Sequence, residues 1–280
     1  MPILQTIIMG IVQGLSEFLP VSSSGHLVLT SNIYKVLTGA EIMEQSSQEV
    51  FLDIMLHLGT LIAVLIYFRK DISEIIKEMI NSLKTKEFSD NAKMGFYILF
   101  GTIITVIIAF PLNEVAKGLV FAPAIVGLLL IMTGLLLFFS EWFSKKLAEK
   151  SNQIDFKTSI IMAIAQGLAA LPGFSRSGLT IAAGLFAKKD RLSAARYSFL
   201  LSIPIILGAS MFYPLLKIEM SELVQYDWTS IIIGTIVSAI VGYLCIKYFL
   251  KFVAKYSLAF FGYYCIIVGI SAFVFFNFIK

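Results

Sequence analysis

Charge is scarce in this 280-residue chain: 14% of the residues are Asp, Glu, Lys or Arg, against roughly 25% in a soluble globular domain. The apolar share is 58% and the mean hydropathy is +0.87. These values exclude a water-soluble enzyme and mark an integral membrane protein. Cysteine is nearly absent. The two present, Cys245 and Cys265, lie in apolar runs without CxxC or metal-ligand spacing. A disulfide framework and a zinc site are therefore excluded, and both read as packed thiols. Excess positive charge is missing too. The 22 basic and 18 acidic residues leave a net charge of +4, too little for a nucleic-acid partner. The first residues carry neither a positive n-region nor a small-x-small cleavage site, so no cleavable signal peptide is expected.

What the chain does have is long apolar runs. About 30 Å of hydrocarbon needs roughly twenty helical residues, and six segments reach that length: Phe51–Phe68, Gly95–Leu112, Leu119–Phe139, Tyr197–Leu216, Thr229–Phe249 and Ser257–Ile279. Two further apolar stretches are interrupted. Pro2–Tyr34 is broken by Glu17, Pro20, Ser22, Ser23, Ser24, Gly25 and His26. Ser159–Ala187 is broken by Pro172, Gly173, Ser175, Arg176, Ser177 and Gly178. Each reads as two half-helices joined by a polar break, the pattern of a re-entrant hairpin. The expected fold is an all-α polytopic protein of the cell membrane, with two re-entrant helical hairpins and about six spans.

The basic residues set the orientation. Segments 69–93, 140–157, 188–196 and 247–256 hold all of them except Lys35, Lys117, Lys217, Lys280 and Arg176. The opposite loops carry Glu41, Glu44, Glu49, Glu114, Glu219, Glu222 and Asp227. The positive-inside rule places the four basic loops in the cytoplasm and both chain ends outside. Segment 69–93 mixes both signs of charge and reads as a solvated amphipathic helix. Three spans follow each hairpin, an odd number, so the second half is inverted relative to the first. Gln13-Gly14-Leu15 recurs as Gln166-Gly167-Leu168, and Ser22-Ser23-Ser24-Gly25 recurs as Ser175-Arg176-Ser177-Gly178. The expectation is one membrane domain over 1–280 built from repeats at about 1–145 and 155–280, with the hairpin tips meeting and a site between them.

An ionisable group inside a membrane segment costs roughly 2.5–3.5 kcal/mol on insertion scales. Glu17, His26 and Arg176 all carry that cost, and three together on two touching hairpins indicate a functional site. Gln13 and Glu17 stand four apart and share a helix face. Ser22, Ser23 and Ser24 open the second half-helix of one hairpin, and Ser175 and Ser177 open that of the other. Helix starts present free N–H groups and the positive end of a dipole, which suits phosphate. Arg176 adds a planar fork for phosphoryl oxygens, and Gly25 and Gly178 admit the backbone close to a ligand. His26 falls one turn after Ser23, a spacing that suits a base for that hydroxyl or an acid for the leaving group. His57 and Thr60 either line the cavity or pack, Asp53 sits near the outer interface, and Ser198, Ser202 and Pro204 serve close packing or a kink.

Residues 13–26, QGLSEFLPVSSSGH, and residues 172–178, PGFSRSG, resemble the two signature motifs of the undecaprenyl-diphosphate phosphatase family, the bacitracin-resistance type. The resemblance covers the whole chain in length, motif spacing and hydropathy. It implies the inverted-repeat fold, hydrolysis of a C55 isoprenoid diphosphate to the monophosphate and inorganic phosphate, and supply of carrier lipid for cell-wall synthesis. By position it implies Glu17 as the essential acid, Ser23 as the nucleophile, His26 as the catalytic histidine and Arg176 as the phosphate clamp. It associates a divalent cation, Mg²⁺ or Ca²⁺, with the site, and Glu17 as its ligand. The family motif opens with Glu or Gln, and here Gln13 leaves Glu17 as the sole motif carboxylate. The implied partners are a polyprenyl diphosphate lipid and the bilayer, with a homodimer as one assembly open to the chain. Attack by Ser23 and attack by an activated water both stay open. The competing class is a secondary transporter of lipid phosphates, which needs the clamp but not a nucleophile and base.

Overall fold

The computed structural model describes residues 3–37, 47–147, 149–217, 223 and 226–279. Glu41, Glu44, Glu219, Glu222 and Lys280, on which part of the charge argument rests, lie outside the described residues. Eleven α-helices are described here: α1 (Ile3–Ser16), α2 (Ser23–Leu37), α3 (Ser47–Tyr67), α4 (Arg69–Thr85), α5 (Asp90–Leu119), α6 (Pro123–Lys145), α7 (Phe156–Leu168), α8 (Arg176–Phe186), α9 (Arg191–Lys217), α10 (Trp228–Val253) and α11 (Ala259–Val274). A π-helical turn, Phe275–Ile279, continues α11.

Among the described residues six helices are long and apolar enough to cross a membrane: α3, α5, α6, α9, α10 and α11. They match the six expected spans one for one, so the all-α polytopic class holds. Several boundaries differ, and two of them have a local reason in proline. The sixth helix starts at Pro123 and not at Leu119, because proline fits the first helical turn, where its missing N–H costs nothing. The fifth runs through Pro111 to Leu119, since a membrane helix tolerates an interior proline whose freed carbonyl is satisfied by neighbours. The amphipathic segment after Phe68 forms α4, as expected, and its Lys86 C-cap sits in the left-handed region at φ 61°.

Both interrupted stretches fold as helix–break–helix. In the first, α1 ends at Ser16 and α2 begins at Ser23; in the second, α7 ends at Leu168 and α8 begins at Arg176. The helices pack through glycine. A Cβ on Gly59 would lie 2.4 Å from the Thr235 carbonyl oxygen, and one on Gly10 would lie 2.7 Å from that of Gly234. The α6–α11 contact likewise runs over Gly127 against Gly269 and Gly134 against Gly262. Small residues matter here because lipid tails give no hydrophobic drive for helix association, leaving close backbone approach to do it.

Three of the four basic segments, 69–93, 140–157 and 188–196, converge on one end of the bundle. Arg196 of α9 pairs with Asp71 of α4, Lys189 bonds Asp155 at 2.6 Å, and Gln153 reaches Asp90 at 3.5 Å. Glu141 is 2% exposed. It receives Arg191 through two bonds of 2.7 and 2.6 Å and the Leu258 N–H at 2.9 Å. That buried carboxylate ties the ends of α6, α9 and α11, and its full hydrogen bonding is what makes its burial tolerable. Cys245 and Cys265 are free and buried, as the sequence indicates. Each thiol faces a carbonyl at or near the first break: Cys245 that of Leu15 at 3.2 Å, Cys265 that of Pro20 at 3.5 Å.

Candidate active site

The two breaks meet. Ser22 donates its Oγ–H to the Phe174 carbonyl at 3.1 Å, and Ser177 donates to the Leu19 carbonyl at 2.8 Å. Each break therefore gives a serine hydroxyl to a backbone carbonyl of the other, and that of Leu19 also takes the Val21 N–H at 2.7 Å. Each also caps its own second half-helix in the same way. The Ser22 hydroxyl accepts the Gly25 N–H at 3.1 Å, and the Ser175 hydroxyl accepts the Gly178 N–H at 3.0 Å. Ser22 sits at φ 71°, a left-handed conformation that is costly for any residue with a Cβ. The bonds on both sides of its hydroxyl hold it there. Glycine at position 25 allows the breaks to close on each other: a Cβ there would lie 2.9 Å from the Ser22 hydroxyl oxygen and 3.1 Å from the Gly173 Cα.

Glu17 is the centre of the site. It follows the last residue of α1, and its N–H still bonds the Gln13 carbonyl at 3.0 Å, so Gln13 and Glu17 keep the shared face expected of them. The carboxylate is 6% exposed and takes four neighbours. Oε1 receives Arg176 Nη2 at 2.6 Å. Oε2 receives Ser23 Oγ at 2.6 Å and Gln13 Nε2 at 3.0 Å. His57 Nε2 lies 3.7 Å from the same oxygen. An isolated carboxylate would cost several kcal/mol at such a depth; a guanidinium and two further donors offset that. Arg176 is fixed on its other side by the Ser198 carbonyl at 3.4 Å. Ser198 in turn shares a 2.6 Å hydrogen bond with Thr180.

The expected residues thus separate into two groups. Glu17, Ser23, Arg176 and Gln13 come together around one carboxylate. Ser22, Ser175 and Ser177 are each at most 2% exposed and hold the breaks in place. Ser23, Ser24 and His26 are half-buried, and Gly25 and Gly178 are buried at the helix starts. His26 departs from the reading of its spacing. Its Nδ1 faces the Ser22 carbonyl at 2.7 Å and its Nε2 faces the Tyr264 hydroxyl at 2.8 Å, whereas the Ser23 hydroxyl donates to Glu17. A residue given little weight in the sequence belongs here. His57 holds Nδ1 against the Asp53 carbonyl at 2.8 Å and turns Nε2 toward Glu17. Histidine inside an otherwise apolar run was the available signal. Thr60 packs, with its hydroxyl on the His57 carbonyl at 2.8 Å and no exposed surface.

A family model described as bacitracin resistance protein BacA matches residues 6–271. Curated relatives align over nearly their full length. The undecaprenyl-diphosphatase of Halothermothrix orenii is 43% identical over 271 residues, 96% of each chain. That of Methanobrevibacter smithii is 40% identical over 287 residues, 98% of each chain. Undecaprenyl-diphosphatase 1 of Pseudoalteromonas translucida is 35% identical over 275 residues, 98% of this chain and 99% of the relative. With both signature breaks inside the matched region and aligned end to end with these relatives, the chain belongs to the bacitracin resistance protein BacA family.

Proposed function

We propose that this multi-pass membrane protein is an undecaprenyl-diphosphate phosphatase. It hydrolyses undecaprenyl diphosphate to undecaprenyl phosphate and inorganic phosphate, and so recycles the carrier lipid of cell-wall synthesis and supports bacitracin resistance. The observation that carries this reading is Glu17, which holds a serine hydroxyl at 2.6 Å on one oxygen and the Arg176 guanidinium at 2.6 Å on the other. A nucleophile, its proton acceptor and a phosphoryl clamp are therefore joined where two helix starts converge. Transport of a lipid phosphate would need the clamp alone.

Attack falls on the terminal phosphorus, and the P–O bond to the lipid monophosphate breaks. Glu17 accepts the proton, either from Ser23 as it forms a phosphoseryl ester that water later cleaves, or from a water that attacks directly. Arg176 turns the N–H donors not engaged by Glu17 and the Ser198 carbonyl to the charge that builds on the phosphoryl oxygens, and the first N–H groups of α2 and α8 add to it. Ser22, Ser175 and Ser177 hold both helix starts in register, Gly25 and Gly178 give those caps the close approach they need, and Ser24 lines the approach of the phosphates. His26 serves the leaving group's side of the reaction.

The donors present fit a divalent cation of the Mg²⁺ or Ca²⁺ kind. Gln13 Oε1 is buried without a hydrogen-bond partner, and it lies on the side chain that touches Glu17. A hard carbonyl oxygen beside a carboxylate suits a hard ion. Among the described residues no group of three His, Cys, Asp or Glu gathers to hold a metal, so Glu17 and Gln13 would share the ion with the substrate's phosphate oxygens. A bound ion would neutralise phosphoryl charge.

Both helix pairs are proposed to enter the bilayer and turn back within it, as halves of an inverted duplication over about 1–145 and 155–280. The matched caps support this. So does the exchange of packing partners, α1 against α10 and α7 against α5. The site is assembled within one chain, and a homodimer is compatible with it. The direct test is phosphate release from C55 diphosphate by purified protein in detergent, with no membrane gradient, with and without chelator. Turnover that falls with chelator and returns with Mg²⁺ is expected. Binding of the lipid without phosphate release would leave a transporter as the better reading.

A further inference from the structure

The last span reaches the first break at two adjacent residues. Cys265 donates to the Pro20 carbonyl at 3.5 Å, and Tyr264 meets His26. The two rings lie nearly parallel, 5.6 Å between centroids with 10° between planes, and the Tyr264 hydroxyl is 2.8 Å from His26 Nε2. A carbonyl oxygen can only accept. The 2.7 Å contact of His26 Nδ1 with the Ser22 carbonyl therefore puts the ring hydrogen on Nδ1 and leaves the lone pair on Nε2. The Tyr264 O–H is the donor that meets it. One backbone acceptor and one phenol together fix the ring plane, the tautomer and the direction of the sole nitrogen left for proton transfer.

We propose that Tyr264 is a positioning residue of the reaction: its hydroxyl fixes the His26 ring, so that when His26 is doubly protonated its Nε2–H is directed at the substrate's leaving-group oxygen, which takes that proton and returns the ring to the neutral Nδ1–H form. This rests on the phosphatase reading above. Tyr264 is 41% exposed, so the phenol borders open space and not a packed core. A substrate oxygen approaching Nε2 meets the phenol as well. The pair joins α2 to α11, helices far apart in the chain, and makes the site depend on the final span.

The test uses Tyr264→Phe, which removes one oxygen and keeps the ring contact. Histidine-specific ¹⁵N labelling reads the imidazoles directly, because the chain has two histidines and His57→Gln assigns the remaining pair of signals. The expected result is a displaced Nε2 resonance for His26, with kcat lower by about tenfold and KM within about twofold of the parent value. The thermal midpoint should stay unchanged, which separates positioning from a folding defect. An unmoved Nε2 resonance, or kcat within twofold of the parent, would overturn the proposal while leaving the phosphatase reading intact. Should the parent protein release no phosphate, that reading fails by itself. The resonance then decides whether the Tyr264–His26 pair exists.

Discussion

Glu17 and Arg176 were legible in the sequence because a full charge in an apolar run is expensive and must be repaid by a partner. Each supplies the other's partner, across 159 positions, at 2.6 Å. The role of His26 was less legible. Spacing along a helix places it one turn from Ser23, but the ring's direction depends on a carbonyl at Ser22 and a phenol on another helix, and no local pattern encodes those. Tyr264 gave no signal at all: it is one of 11 tyrosines in an aromatic-rich chain. At this scale the sharpest expectation concerns the clamp. Arg176→Lys keeps the charge but loses the fork that engages Glu17, Ser198 and a phosphoryl group together. Turnover of C55 diphosphate should drop at least about a hundredfold, as loss of one transition-state donor typically does. Near-parental turnover in the lysine protein would remove Arg176 from the phosphate site.

Among the elements, the two broken helices were readable from their prolines, glycines and serine runs, and the six spans from length and hydropathy. What the sequence did not show is how closely the helices approach, since that follows from which glycines face which backbone. Gly59 is set against the Thr235 carbonyl, where a Cβ would come within 2.4 Å, whereas a Cβ at Gly118 would meet nothing within 4 Å. Gly59→Ala should therefore force α3 and α10 apart and cost about 1–3 kcal/mol, the usual range for overpacking. Gly118→Ala should be neutral or slightly stabilising, because alanine is the better helix former. Thermal unfolding of both variants in one detergent checks this, and equal midpoints would show that the α3–α10 interface is looser than described. The Glu141 knot was also missed. Glu141 falls in segment 140–157, which reads as a basic cytoplasmic loop, yet α6 extends past it to Lys145 and buries it under Arg191 and the Leu258 N–H.

On the scale of the whole molecule, the convergence of segments 69–93, 140–157 and 188–196 on one end agrees with the charge bias that led us to place them in the cytoplasm. On that orientation the first break, with Glu17 and Ser23, is entered from the outer face, where the carrier lipid is left after wall-polymer transfer. A Ser24→Cys variant tests it in intact cells, with Cys245 and Cys265 replaced by serine so that their carbonyl contacts survive. Ser24 is half-buried at the start of α2 and should be labelled by a membrane-impermeant thiol reagent added outside. Labelling only after the cytoplasmic face is opened would reverse the orientation.

The account as a whole stands on Glu17 as the group that receives the nucleophile's proton and anchors the clamp. Phosphate release from C55 diphosphate by purified Glu17→Gln, beside the parent protein and with unfolding midpoints recorded for both, tests that most directly. The amide keeps the shape and accepts a hydrogen bond from Ser23 or Arg176, but it cannot take up the proton or balance the guanidinium charge. We predict turnover lower by about 10²–10⁴, the usual contribution of general base catalysis, in a protein that still folds. Parental turnover in the folded Gln variant would contradict the account.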